Sequence, residues 1–288
     1  MVRHGSGHPR TGIYRPASAL MASAPAVLTF LGTGDSLGVP RVYCSCSVCE
    51  EARKTGRNRR LRSLVRIDGL EGGGSPDDVT LIDCGPDWGR QMEAAGLRSI
   101  RRMLITHAHF DHIGGLVEWA DACRWTKQRG QAHAPAEVIP DIRARFPWLD
   151  RWIDFTPIEE PLVIGCWSIR SWRVHHGFNG YSYAYRFDHG ETGYAWVYCS
   201  DSIGLDEMQK APLRGADLIV LGTSFYREPY PYAGRSVYDV TEALELREEL
   251  QPGEMLLTHM SHDIDLRREY GLPDNVKFAE AGMRRILD

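Results

Sequence analysis

The chain has 288 residues, 43% of them hydrophobic and 25% charged. This composition is typical of globular proteins and excludes disorder throughout. A formal charge of −4 excludes the global basic field that recruits nucleic acid. No apolar run approaches the roughly 20 residues that cross a bilayer, and residues 1–24 lack the apolar stretch of a secretory signal. We therefore expect a cytoplasmic protein with neither a membrane nor a nucleic-acid partner.

Strand-prone and helix-prone runs alternate along the chain. The predicted strands are Val27–Gly32, Arg62–Asp68, Val79–Asp83, Arg102–Thr106, Trp167–Val174, Tyr181–Phe187, Tyr194–Ser200, Leu218–Leu221 and Met255–Thr258. The predicted helices are Trp88–Ala95, Ile113–Thr126, Pro140–Phe146, a helix after Leu205, Val240–Leu250 and a last helix near Lys277–Ile286. Strand-rich halves with interleaved helices predict an α/β layered fold with two sheets. Without a Pro-rich linker, residues 26–288 are predicted to form one domain, preceded by a flexible tail over residues 1–25.

Four metal-competent side chains lie within six residues of a histidine-rich segment. Side chains at i and i+2 of an extended chain share a face, so His107 and His109 can bind one ion together. Asp111 and His112 follow where the chain turns into a helix and can face a second ion. Imidazole with carboxylate suits Zn, Fe, Mn, Co or Ni. The alternative is a histidine-rich surface loop, but this cluster follows an apolar strand and precedes Gly114 and Gly115.

Three of the seven cysteines are crowded into the pattern C-x-C-x-x-C, at Cys44, Cys46 and Cys49. Neighbours this close do not easily form disulfides with each other, and in a cytosolic protein such a cluster favours metal binding. Three thiolates leave a tetrahedral zinc ion one ligand short, and His262 is the candidate fourth ligand. The alternative is a set of buried free thiols.

The segment THAHFDH (106–112) matches the His-x-His-x-Asp-His signature of the metallo-β-lactamase superfamily, which the chain resembles over residues 27 to about 265. The resemblance implies an αββα sandwich with two central mixed sheets flanked by helices. It implies that Asp83 in LIDCG supports the metal loop without binding metal. It also implies two ions, bound by His107, His109 and His176 and by Asp111, His112 and His259, with Asp201 shared.

Two histidines compete for the position after the strand that ends in VHHG. His176 directly precedes glycine, as in the family pattern, and is the predicted ligand. His175 is the rival and is predicted to line the pocket. The candidate catalytic residues are the two implied ligand carboxylates, Asp111 and Asp201, together with His175.

The Cys/His cluster and the ends of the matching region resemble one branch of the superfamily, which contains cyclic ribose phosphate phosphodiesterases and accessory proteins of pyrroloquinoline quinone synthesis. The resemblance implies a structural zinc at Cys44, Cys46, Cys49 and His262, two divalent catalytic ions (Zn, Mn, Fe or Ni) and a homodimer. It implies hydrolysis of a small anionic phosphodiester, cyclic forms included, by hydroxide generated between the two ions. Hydrolysis of a carboxylic ester, lactone or thioester and an oxidoreductase role of the accessory-protein kind remain alternatives.

This sequence departs from the branch at one position. The phosphodiesterases carry a further histidine between the last two strands, and its place here falls on Val237. Arg235, Tyr238 and His175 are the candidate replacements as leaving-group acid. The basic run from Arg53 to Arg62 is the one candidate for holding nucleic acid, and a solvated helix explains it equally well.

Overall fold

The computed structural model describes residues 25–158 and 161–288. The predicted tail lies outside the described residues, apart from Pro25. The strands are β1 Ala26–Gly32, β2 Leu64–Asp68, β3 Val79–Ile82, β4 Arg102–Leu104, β5 Gly130–Ala134, β6 Ile153–Pro157, β7 Leu162–Ile164, β8 Trp167–His175, β9 Tyr181–His189, β10 Ala195–Cys199, β11 Leu218–Gly222, β12 Glu254–Thr258, β13 Val276–Phe278 and β14 Arg284–Leu287. The helices are α1 Ser47–Lys54, α2 Trp88–Ala94, α3 Phe110–Ile113, α4 Leu116–Thr126, α5 Val138–Arg145, α6 Glu207–Lys210 and α7 Val240–Leu250.

The strands form two seven-stranded mixed sheets. The first has the order β14-β1-β2-β3-β4-β5-β6 and the second β13-β12-β11-β10-β9-β8-β7. In the first sheet the neighbouring strands from β14 through β1 and β2 to β3 pair antiparallel, and those from β3 through β4 and β5 to β6 pair parallel. In the second, β7 to β10 pair antiparallel and β10 to β13 parallel.

Three hydrophobic clusters separate the layers. Large side chains from both sheets, including Phe30, Trp167 and Trp196, form the cluster between the sheets. The other two clusters pack α2, α4 and α5 against the first sheet and α7 against the second. Full burial of each such side chain stabilises the fold by roughly 1.5–3 kcal/mol. The predicted αββα sandwich is therefore confirmed.

Several predicted elements differ from the observed ones. The predicted last helix near Lys277–Ile286 is wrong, because this segment forms β13 and β14, with Gly282 at a φ of 86° between them. The predicted helix Ile113–Thr126 is divided at Gly114 and Gly115 into α3 and α4. In the described part of the chain, none of the helices is long and apolar enough to cross a membrane.

Candidate metal centre

Loops from both sheets converge at one edge of the sandwich. His107 and His109 follow β4, and His176 follows β8. Asp201 and His259 follow β10 and β12 at the carboxyl ends of those strands. Because β8, β10 and β12 run in the same direction, their carboxyl ends lie at the same edge. Residues far apart in the chain therefore meet there.

The first group of potential ligands is His107, His109 and His176, whose ligand atoms all lie within 4.8 Å of one another. Nε2 of His107 lies 2.9 Å from Nδ1 of His109. Atoms bound to one ion at about 2.0–2.1 Å are about 2.9 Å apart at a right angle and about 3.4 Å apart at the tetrahedral angle. The observed spacing suits a shared ion.

The second group is Asp111, His112, Asp201 and His259, also within 4.8 Å of one another. Nε2 of His112 lies 3.2 Å from a carboxylate oxygen of Asp111 and 3.2 Å from one of Asp201. Nε2 of His259 lies 3.4 Å from Asp111 and 3.3 Å from Asp201. These distances again fall within the coordination range.

Asp201 lies between the two groups. Its Oδ2 is 3.5 Å from Nε2 of His176 and 3.3 Å from Nε2 of His259, while its Oδ1 is 3.2 Å from Nε2 of His112. Oδ1 of Asp201 and Nε2 of His112 are both buried without a hydrogen bond. Unpaired buried polar atoms are costly unless something binds them, so their presence fits an ion between the groups.

Hydrogen bonds behind the ligands fix which nitrogen each imidazole presents. Nδ1 of His176 lies 2.7 Å from the carbonyl oxygen of Ser236, which can only accept. Nδ1 of His112 donates to Oδ2 of Asp83 at 2.7 Å. In both residues Nε2 is therefore the nitrogen that is turned toward the position of a metal ion.

Asp83 is fully buried beneath the loop and belongs to neither group. It accepts hydrogen bonds from the Thr106 backbone N–H at 2.8 Å and from the Thr106 hydroxyl at 2.9 Å. The Thr106 hydroxyl oxygen lies 2.9 Å from Nδ1 of His107. Asp83 thus orients His112 directly and His107 through Thr106.

Glycines allow the metal loop to pack against the end of β3. A Cβ added at Gly85 would lie 2.2 Å from the carbonyl oxygen of Asp111, and one at Gly115 would lie 2.3 Å from the carbonyl oxygen of Gly85. Real Cβ atoms do not approach backbone this closely. The close approach of the two backbones therefore requires glycine at both positions.

Burial and charge set the protonation of the ligands. Burial lowers the pKa of His107, His109 and His176, which favours the neutral imidazole that binds metal. Burial would raise the pKa of Asp201, but His259 and His112 hold it well below its usual range. The carboxylates of Asp111 and Asp201 thus favour positive charge at the centre of the second group. A metal cation there would take the place of the protons on His112 and His259.

A cavity of about 160 Å³ opens above these groups. Its walls include His109, Asp111, His176, Asp201 and His259, together with Asp35, Ser36, Asn179, Ser224, Glu228 and Val237. The sequence did not single out the polar wall residues Asp35, Ser36, Asn179, Ser224 and Glu228. Asp35 and Ser36 lie in the glycine-rich GTGDS turn, which was the one available signal.

The structure does not bring His175 to this cavity. His175 is the last residue of β8 and is exposed, whereas its neighbours Val174 and His176 are buried. Side chains alternate between the two faces of a strand, so His175 and His176 point to different sides. The prediction that His175 lines the pocket is therefore corrected.

The cysteine cluster forms a separate group at the start of α1. Nδ1 of His262 lies 3.3 Å from Sγ of Cys44 and 3.5 Å from Sγ of both Cys46 and Cys49. With Zn–S near 2.3 Å and Zn–N near 2.0–2.1 Å, a tetrahedral ion would hold sulfur and nitrogen about 3.6 Å apart. The donor set and its spacing fit a closed zinc site.

The layered fold and the paired imidazole–carboxylate groups define a metallohydrolase of the metallo-β-lactamase type. The model of a family described as "Beta-lactamase superfamily domain" matches residues 79–260. The chain therefore belongs to the β-lactamase superfamily, whose members are mostly metal-dependent hydrolases and whose fold implies divalent metal ions. The match leaves out both the cysteine cluster and His262.

Individual relatives share the fold over most of the chain. A crystal structure described as a new diphosphatase from the PhnP family is 25% identical, with a TM-score of 0.76, and covers 91% of this chain and 98% of that one. Zinc-bound PqqB from Methylobacterium extorquens is 17% identical, with a TM-score of 0.71, and covers 91% of this chain and 100% of that one.

A curated octanoyltransferase from Porphyromonas gingivalis is 28% identical over 273 residues, which cover 90% of this chain and 51% of the relative. The chain thus spans about half the length of this curated relative.

Proposed function

We propose that this chain is a metal-dependent phosphodiesterase that acts on a small phosphodiester, cyclic forms included. The observation that carries the proposal is the position of Asp201, which joins two groups of ligand atoms at coordination spacing beneath a polar cavity. The likeness to the diphosphatase, at 25% identity over nearly the whole of both chains, supports a phosphoryl substrate.

Seven side chains would hold two divalent ions: His107, His109 and His176 at one position, Asp111, His112 and His259 at the other, and Asp201 at both. Bound ions would supply hydroxide at neutral pH and positive charge opposite the developing oxyanion. The donor set suits Zn, Mn, Fe or Ni. Two dications outweigh the charge of the ligand carboxylates, Asp111 and Asp201, so the loaded site would attract an anion.

The chain's own polar groups would position the substrate. Ser36, Asn179 and Ser224 line the cavity and carry side-chain donors suited to phosphate oxygens. Asp83 holds the His112 ring in place from below. A cavity of about 160 Å³ admits a phosphate group with a small substituent and leaves no room for a long polymer inside it.

We propose that the basic run from Arg53 to Arg62 does not hold nucleic acid, because several of its guanidinium groups are engaged within the chain. Arg53 pairs with Glu50, Arg57 with Glu280 and Arg62 with Asp87. Arg60 is buried and donates to the carbonyl oxygens of Ser261 and Ile264. Guanidinium groups engaged in this way present little free charge to phosphates.

We propose further that Cys44, Cys46, Cys49 and His262 hold a structural zinc ion. The group ties the start of α1 to the loop after His259, because His262 lies three residues beyond that ligand. The homodimer implied by the family resemblance is also retained as a proposal.

Hydrolysis of bis(p-nitrophenyl) phosphate tests the proposed activity. The purified protein is supplied separately with Mn²⁺, Zn²⁺, Ni²⁺ and Fe²⁺, beside Asp111→Ala and the matched variant Asp121→Ala, whose aspartate is exposed on α4. We expect metal-dependent turnover that Asp111→Ala abolishes and Asp121→Ala preserves. Protein that carries two catalytic ions by elemental analysis and turns over with none of the metals would overturn the proposal.

Acyl hydrolysis is the second candidate, and the octanoyltransferase relative is the observation that favours it. The same site chemistry can cleave a carboxylic ester or a thioester. An octanoyl thioester and p-nitrophenyl octanoate, assayed with the same metals and variants, distinguish the two candidates. Turnover of these substrates without turnover of the phosphodiester would favour the acyl substrate.

A further inference from the structure

Cleavage of a phosphodiester with a poor leaving group needs a proton at the leaving oxygen. Val237 lines the cavity and has no proton to give, although the family resemblance implies a histidine at this position. His175 lies outside the cavity. The hydroxyl of Tyr238 accepts a hydrogen bond from the Leu205 backbone at 2.8 Å, and this buried side chain is not among the residues that line the cavity.

Arg235 is also unsuited to this role. Its guanidinium lies 3.1 Å from Glu228, 3.4 Å from Asp239 and 2.5 Å from Glu242. A guanidinium held by three carboxylates stays protonated and does not deliver a proton.

We infer that Glu228 is the group that protonates the leaving oxygen in the proposed phosphodiester hydrolysis. The inference rests on that proposed function. Glu228 lines the same cavity as Asp111, Asp201 and His259, and its side chain is 9% exposed. Its backbone N–H donates to Oδ2 of Asp239 at 3.0 Å, which fixes the main chain from which the carboxyl projects.

The surrounding charges leave one carboxyl able to carry a proton. One guanidinium faces three carboxylates, so the cluster holds an excess of negative charge. Asp239 caps α7, where it accepts hydrogen bonds from the Glu242 backbone at 2.9 Å and the Thr241 hydroxyl at 2.7 Å, and these bonds favour its ionised form. Glu242 is not among the residues that line the cavity.

Burial raises the pKa of Glu228, and Asp239 and Glu242 add to this effect while Arg235 opposes it. Glu228 shares the cavity wall with Asp35, which pairs with Arg41, and with the ligands Asp111 and Asp201. The ligand histidines His109, His176 and His259 complete the titratable groups of the wall. The geometry and the charges together make Glu228 the acid of this cavity.

The step balances without a further reactant. A water oxygen forms a bond to phosphorus, and the bond between phosphorus and the leaving oxygen breaks. The proton of Glu228 passes to that oxygen and gives an alcohol. The proton released by the attacking water returns through solvent to the carboxylate, so one water is consumed for each phosphomonoester and alcohol formed.

The test compares Glu228→Gln with wild type on methyl p-nitrophenyl phosphate and methyl phenyl phosphate. Glutamine keeps an oxygen that accepts from Arg235 but has no acidic proton. We expect kcat to fall about 100-fold or more for the phenyl ester, whose leaving group needs the proton, and less than about 10-fold for the nitrophenyl ester. In wild type, kcat for the phenyl ester should fall as pH rises through the pKa of Glu228, and the variant should lack this limb.

Glu242→Gln is the matched control, because it removes a carboxylate from the same guanidinium outside the cavity. It should keep the wild-type ratio of the two rates. If Glu228→Gln leaves the ratio of the two kcat values as in wild type, the inference is overturned while the proposed activity of the wild type stands. Wild type that hydrolyses neither ester with any metal would instead overturn the proposed function, and the inference with it.

Discussion

The carboxylate of Asp83 lies 2.7 Å from Nδ1 of His112 and 2.8 Å from the backbone nitrogen of Thr106, yet it is not a member of either ligand group. One buried side chain therefore fixes both a ligand ring and the backbone that precedes His107. Residues behind a metal site affect metal affinity by holding the ligands in position.

Replacement of Asp83 by asparagine should weaken metal binding. The amide can present its NH₂ group where the carboxylate oxygen accepted from His112, so the ring loses its fixed orientation. We expect metal affinity or activity to fall about 10–100-fold. Isothermal titration with Mn²⁺ measures the affinity, and Asp68→Asn on β2 is the control. Unchanged affinity in Asp83→Asn would contradict the role assigned to Asp83.

Gly85→Ala tests the close approach of the metal loop to the end of β3. The added Cβ would lie 2.2 Å from the Asp111 carbonyl oxygen, so the loop must move. We expect loss of catalytic metal and destabilisation by at least about 2 kcal/mol.

Gly73→Ala is the matched control, since nothing lies within 4 Å of an added Cβ there. It should keep its metal and its stability, as measured by elemental analysis and urea denaturation. Equal behaviour of the two variants would argue against the close approach of these backbones.

Cys49→Ser tests the structural zinc proposal. Cys49 is buried in the group formed with Cys44, Cys46 and His262. We expect one zinc fewer per chain and a melting temperature lower by at least about 6 °C, because metal binding contributes to folding free energy. Cys166→Ser, at an exposed cysteine outside the group, should change neither quantity. Full zinc content in Cys49→Ser would favour free thiols.

Asp265 should make stability depend on pH in acid. Its carboxylate accepts from Arg267 at 2.7 Å and Asn58 at 2.8 Å, and these contacts, led by Arg267, lower its pKa. A carboxyl whose folded pKa is depressed stabilises the fold above its unfolded pKa of about 3.9, and this stabilisation is lost as pH falls through the folded pKa.

We therefore expect Asp265→Asn to be about 1–2 kcal/mol less stable than wild type at pH 7. The difference should shrink as the pH is lowered below about 4. Urea denaturation at pH 7, 4 and 3 measures it, with Asp121→Asn as the control. A difference that stays constant across this range would contradict the assigned role of the carboxylate.

The metal ligands could be predicted because they lie in a short motif whose spacing carries the chemistry. His107 to His112 are close in sequence, and the family pattern places His176, Asp201 and His259 after apolar strands. Buried strands such as β10 and β12 were predicted because their apolar runs are continuous.

The elements that were missed have weak local signals or depend on distant partners. β5 (GQAHA) has no β-branched residue, and β6 (IDFTP) is mostly exposed and ends in proline. Both are strands because they extend the parallel part of the first sheet. β14 has helix-compatible residues but pairs with β1, more than 250 residues away in the chain. Glu228 carried no sequence signal, because it lies in an irregular loop and only the fold brings that loop to the cavity above the ligands.

Metal stoichiometry is the measurement that tests the dinuclear site most directly. Wild-type protein reconstituted with Zn²⁺ and freed of excess metal should contain three zinc ions per chain by elemental analysis, two at the imidazole–carboxylate site and one at the cysteine site. Asp201→Ala, which removes the carboxylate shared by both groups, should retain the cysteine-site ion and lose at least one other. Wild type with a single ion per chain, or Asp201→Ala with three, would contradict the account.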